Sequence, residues 1–226
     1  PGPAGKGEEQ FRAAWKAFAA PAMTAGALRT AEARQQARLA AIPLIEAAVA
    51  ADPQNPVYHR SLAYICLAAG KYRQAREAIG RALELKRDDP LSHLLCGQAE
   101  AALAQMDPAK AGERIGASLR EFDRAAELDP TNSLALLQAA SVAFDVGRSD
   151  LAAPRVKQAQ DRPRFVLYRL PVPGDLDPDP RVAGPLWQYV QLGQWIELLA
   201  RCQNVAKVLL RLGEDKQAAG DLPAGR

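Results

Sequence analysis

The chain has 226 residues, 48% of them hydrophobic and only 6% aromatic, enough apolar material for a sizeable core and too much for a disordered chain. A formal charge of +3 is too small to argue for nucleic acid or an anionic membrane, and no apolar run approaches the roughly 20 residues of a membrane span. Three widely spaced cysteines, Cys66, Cys96 and Cys202, provide neither a disulfide framework nor a zinc site.

The hydrophobic set is led by alanine, which loses no side-chain entropy on entering a helix and lets helices approach closely. In chain order, residues 1–7, PGPAGKG, read as a linker or an expression remnant. Pro1 is not a native start, so a leader, an anchor or a further domain upstream is left open. Residues 8–20 read as an N-terminal helix. A first helical unit is expected over 22–55, with a good second helix ending in LIEAAVAADPQNP. Its first helix is degenerate, because Arg29 occupies a slot that wants a small residue.

The clearest unit is 56–89, two helical patterns broken at Gly70-Lys71. Glycine ends a helix well because it accepts a left-handed backbone. Leu62, Ala63 and Cys66 share one face of the first helix. Ala75, Ile79, Ala82 and Leu83 form an amphipathic stripe on the second. A third unit, 90–132, carries nine extra residues within about 104–116 and has Glu100 where an apolar residue is expected. A fourth unit spans 133–163. Pro163 and five further prolines in 164–185 forbid a continuous helix, so this stretch is a proline-rich crossover. Helical pattern returns at 186–212, within a C-terminal segment 186–226 expected to cap the core.

The units keep register. Ala41, Ala75, Ser118 and Ala152 form one column, Ile45, Ile79, Phe122 and Val156 a second, and Ala48, Ala82, Ala125 and Ala159 a third. The offsets are 34, 43 and 34 residues. Ala63, Gly97 and Ala140 follow the same offsets in the first helices. Turns agree as well, at Gly70 and Gly147 and at Asp52-Pro53 and Asp129-Pro130.

A 34-residue helix–turn–helix period carrying Leu62-Ala63, Ala75, Ile79 and Ala82, with the AADP and ELDP endings, resembles the tetratricopeptide repeat family. The resemblance covers roughly 22–163. It implies an all-α fold, a right-handed α-solenoid of stacked hairpins, with a concave partner-binding face built mainly by the first helices. It also implies a non-enzymatic scaffold or a subunit of a larger, membrane-associated or soluble, assembly that holds protein partners.

The remaining chemistry is sparse. His59 and His93 lie 34 apart, at one slot of adjacent units, and are expected to pack rather than to bind metal. The cysteines sit at packing slots and behave as small hydrophobes. Asp175, Asp177 and Asp179 lack the spacing of a calcium loop. No nucleophile stands beside a base and no phosphate-binding loop is present, so no catalytic, cofactor or metal residue is assigned. The basic run Arg155, Lys157, Arg162, Arg164 and Arg169, next to Phe165 and Tyr168, reads as a solvated helix end; no nucleic acid is expected as a partner.

Some family members grip a C-terminal carboxylate with Lys, Asn and Arg on successive first helices. The matching positions here are Arg60, Tyr64, Leu95, Leu134 and Gln138, which lack the clamp. The face is apolar instead, and the candidate groove is Val57, Arg60, Tyr64, Leu91, Leu94, Leu95, Gln98, Leu134, Leu137, Gln138 and Phe144, with Leu67 beside it. Its occupant is an amphipathic or extended partner segment, or the chain's own helix at 8–20 or tail at 186–212. Two other functions stay open: an accessory domain of a longer enzyme or secretion factor, and a solenoid for a small apolar ligand. Composition fits a bacterial, GC-rich genome; cytoplasm and periplasm are not distinguished.

Overall fold

The computed structural model describes residues 5–23 and 31–162. Among them the regular structure is helical: α1 (Glu8–Met23), α2 (Ala31–Ala51), α3 (Pro56–Ala68), α4 (Tyr72–Leu85), α5 (Pro90–Met106), α6 (Ala111–Leu128), α7 (Leu134–Asp145) and α8 (Ser149–Gln160), with a 3-10 turn at Pro108–Lys110 before α6. Helices pair in sequence as hairpins, α1 with α2 through α7 with α8, and each hairpin packs on the next. The first helices also touch, α3 with α5 and α5 with α7, which makes them one layer of a right-handed α-solenoid. The proline-rich crossover and the C-terminal cap lie outside the described residues.

Helix starts are written locally. Asn55 caps α3 by accepting the Val57 N–H, and Asp89 caps α5 by accepting the Ser92 N–H at 2.9 Å. In both, proline follows at the first helical position, where a missing N–H costs nothing. Turns between paired helices repeat too. Gly70 and Gly147 both have φ of +75°. At the first, the Lys71 N–H reaches the Cys66 carbonyl at 2.8 Å; at the second, the Arg148 N–H reaches the Ala143 carbonyl at the same distance. Only glycine takes that backbone without strain.

All three columns of the second helices are buried, as are Ala63, Gly97 and Ala140 facing them. A buried isoleucine such as Ile79 contributes about 1.5–3 kcal/mol. The third hairpin solves the same packing problem differently. Phe122 is the largest member of its column, and the facing slot holds Gly97, the smallest. A Cβ at position 97 would sit 2.7 Å from a Phe122 ring carbon. Ser118 replaces alanine and, buried, donates to the Gly97 carbonyl at 2.7 Å.

The extra residues of this hairpin lengthen both its helices. α5 has 17 residues against 13 in α3, and α6 has 18 against 14 in α4. Glu100 is buried there and accepts from Arg76 of α4 at 2.7 Å and from Arg114 of α6 at 3.0 Å. The apolar residue expected at this slot is thus replaced by a carboxylate with two guanidinium partners.

Two sequence readings need correction at the N-terminus. The first hairpin pairs α1 with α2, and α2 runs 21 residues, so the partner of the second helix is the helix read at 8–20 and lies ahead of the expected unit 22–55. Pro43 is accommodated inside α2 because it and Leu39, whose carbonyl loses its helical donor, both face solvent. Arg29 lies outside the described residues. Lys6 and Gly7 of the presumed linker are also packed on the fold. Gly7 is buried with φ of +79°, and the Tyr58 hydroxyl donates to the Lys6 carbonyl at 3.2 Å. An added Cβ on Gly7 would lie 2.7 Å from the Ala48 carbonyl oxygen.

Candidate partner-binding face

The first-helix layer starts with an aromatic cluster. Phe11 of α1 lies 4.9 Å from Tyr58 of α3, ring centre to ring centre, and Trp15 and Phe18 each lie 5.8 Å from Tyr64. α1 therefore packs on Tyr58 and Tyr64 at the α3 end of this layer. The tail at 186–212 lies outside the described residues.

Next along the layer, Arg60 is half-buried and gives one nitrogen to both Asp89 oxygens at 2.8 Å. Burial pushes the Asp89 carboxyl upward, but hydrogen bonds from Ser92 and Arg60 outweigh it and hold the group below the ordinary aspartate range. Arg60 is thus committed to joining α3 to the α5 cap. Farther on, Gln98 donates to the buried Gln138 at 2.8 Å, linking α5 and α7.

The groove leucines behave differently from the sequence reading. Leu91, Leu94, Leu95 and Leu134 are 7%, 4%, 2% and 4% exposed and belong to the core cluster. Apolar residues at these slots pack between neighbouring first helices instead of facing solvent. Val57, Tyr64, Leu67, Leu137 and Phe144 are half-buried at the edge of that cluster.

The histidines occupy equivalent places, as their spacing predicts. A ring nitrogen of His59 meets the Pro53 carbonyl at 2.9 Å, and one of His93 meets the Arg87 carbonyl at 2.8 Å. His93 also meets Glu121 of α6 at 2.7 Å. Cys66 and Cys96 are buried free thiols, and burial pushes both up to about 12, far from a reactive thiolate. Cys202 lies outside the described residues. Among the described residues no group of three or more His, Cys, Asp or Glu side chains is placed to hold a metal ion. Among them, too, no helix is long and apolar enough to cross a membrane.

Two arginines of the basic run are structural. Arg155 forms a two-pronged pair with Asp123 at 2.9 and 2.6 Å, tying α8 to α6. Arg162 donates to the carbonyls of Ala126, Asp129 and Asn132 at 2.8 to 3.1 Å, closing the end of α6 and the turn after it. These partners are 30 to 36 residues away in sequence, so nothing local announces them. Arg164 and Arg169 lie outside the described residues.

Stacked hairpins with glycine-closed turns, small-large-small columns and a shared first-helix layer define a helical-repeat solenoid. Residues 32–99 match the tetratricopeptide repeat family. Its fold is similar to that of a thermophilic TPR protein from Thermus thermophilus. That match has 20% identity and a TM-score of 0.53, over 90% of this chain and 99% of the other. It is also similar to the crystal structure of the MamA protein, with 15% identity and a TM-score of 0.50 over 96% of this chain and all of that one. No protein of curated function matches the sequence. The tetratricopeptide fold is in general a scaffold for protein interaction.

Proposed function

We propose that this protein is a non-catalytic scaffold whose first-helix face holds an extended or amphipathic segment of a protein partner. The observation that carries the reading is the repeat architecture itself: one layer of first helices presented side by side. The reachable part of the proposed groove is narrower than the full set of apolar positions. It consists of Val57 at one end and Leu137 and Phe144 at the other, with Gln98 between them, since α1 already packs on Tyr64. A half-buried apolar rim around fixed polar side chains suits a peptide that brings alternating apolar side chains and backbone amides. The buried leucines support this rim without touching the partner.

The chemistry of the described side chains supports a holding role over a reaction. The cysteines are protonated and enclosed, and the buried carboxylates Asp89 and Glu100 are engaged by arginines. A place as an accessory domain of a longer enzyme or assembly factor is compatible with the same face.

Affinity capture from the native cell, followed by mass spectrometry, tests the proposal. Wild type is compared with a Leu137→Gln/Phe144→Gln variant whose helicity is verified by circular dichroism. Loss of specific partners in the folded variant supports the groove. Retrieval of the same partners in the same amounts sinks it.

A further inference from the structure

His93 stands where three segments meet. It is on α5, its Nδ1 faces Glu121 of α6 at 2.7 Å, and its Nε2 faces the Arg87 carbonyl in the α4–α5 connector at 2.8 Å. Both partners accept hydrogen bonds and neither donates. A neutral imidazole has one N–H and satisfies one of them; the imidazolium has two and satisfies both. His59, at the same slot one repeat earlier, shows a carbonyl contact and no carboxylate, so the carboxylate is an addition peculiar to the third hairpin.

We propose that the His93 imidazolium is a proton-operated clasp that fastens the α4–α5 connector to the third hairpin. In the charged form it pins the connector to α5 and α6 at once. After loss of one proton, one ring nitrogen turns a lone pair toward an acceptor, and that contact becomes repulsive. The connector is then held to α6 only by the exposed Asp88–Arg124 pair at 3.0 Å. Such surface pairs contribute little. The connector loosens from the third hairpin, while Arg60–Asp89 and Arg76–Glu100 keep the hairpins themselves together.

The surroundings favour the charged form. The hydrogen bond to Glu121 raises the proton affinity of His93, against a smaller opposing effect of burial, and the Arg87 carbonyl and the Glu121 charge add to it. Arg124 on α6 opposes it. On the α5 side the enclosed Cys96 thiol is protonated, and across from it Arg76 of α4, paired with Glu100, also feels the Glu121 charge. The folded proton affinity of His93 is therefore above that of the unfolded chain. Its stabilisation is fully present below about pH 6.5, the unfolded value, and is lost as pH rises through the folded value above it.

Two measurements test the clasp. In nitrogen-15 spectra of the imidazole rings, the two histidines are told apart with His93→Gln. The midpoint of His93 is expected to lie above the unfolded value, with both ring nitrogens protonated below it, and to move to lower pH in Glu121→Gln. Spin labels at the exposed positions of Arg87→Cys in the connector, which keeps its carbonyl, and Glu113→Cys on α6, in a Cys202→Ser background, report the separation of connector and third hairpin. The distance distribution is expected to broaden between about pH 6 and pH 8.5 in the wild-type background and to be broad at both pH values in His93→Gln. A midpoint at or below the unfolded value, a midpoint indifferent to Glu121→Gln, or a separation unchanged by pH would each overturn the proposal.

Discussion

Replacing Gly97 by alanine puts one methyl group into the most tightly matched contact of the core. Its carbon would lie 2.7, 2.8 and 2.9 Å from three ring carbons of Phe122. Carbon atoms prefer 3.5–4.0 Å, so the ring must withdraw by about 0.8 Å or the helices must part. Phe122 is fully buried and has no free space to enter. Overpacking of this kind costs about 2–3 kcal/mol, and the helix preference for alanine over glycine returns about 1 kcal/mol. The expected net loss is about 1–2 kcal/mol, measured as the midpoint shift of urea denaturation at constant slope. Phe122→Ile alone opens a cavity beside Gly97 and costs a comparable amount. Together the two changes recreate the alanine–isoleucine pair that Ala63 and Ile79 form in the second hairpin, so the double variant should exceed the additive expectation by about 2 kcal/mol. Additivity within about 0.5 kcal/mol would refute the pairing argument.

Gly7→Ala should destabilise by about 1–3 kcal/mol, because the position has a left-handed backbone and its Cβ meets the Ala48 carbonyl; a thermal melt equal to wild type would show that the segment before α1 is dispensable. Asp89→Ala removes the α5 cap and strands Arg60, at a cost of about 2 kcal/mol near neutral pH. Since Asp89 titrates below its unfolded value of 3.8, its stabilisation is present above that pH and fades as pH falls through the folded value. Denaturation curves of wild type and variant should therefore converge in strong acid. In native protein at pH 8, iodoacetamide should leave Cys66 and Cys96 unmodified over times that fully label them in urea, read by mass spectrometry of tryptic peptides.

The solenoid was legible because its signal is periodic. Ala75, Ile79 and Ala82 repeat by type at fixed offsets, and each repeat buries them in the same way. Gly70 and Gly147 were legible for a related reason: a left-handed turn restricts the residue type. The first hairpin was not, because α2 exceeds α4 by half its length and a fixed period cannot see that. The insertion could be counted but its disposition could not, since a loop and two longer helices have the same length in sequence. The candidate face was harder still. Leu94 and Leu137 look alike in sequence, yet one is enclosed and the other half-buried, a distinction set by neighbouring helices. Glu100 showed only as a misfit until Arg76 and Arg114 came into view beside it.

The added length of the third hairpin has a consequence for how such a protein can change. Four residues more in each helix is close to one whole turn, so every side chain above the splice returns nearly to the face it would have had. A solenoid is usually thought to grow by adding hairpins end to end. Here the third rung has grown at right angles to that direction while the repeat columns on either side kept their register. Number of rungs and height of each rung are then separate variables, and the outline of one edge can be reshaped without disturbing the layer opposite.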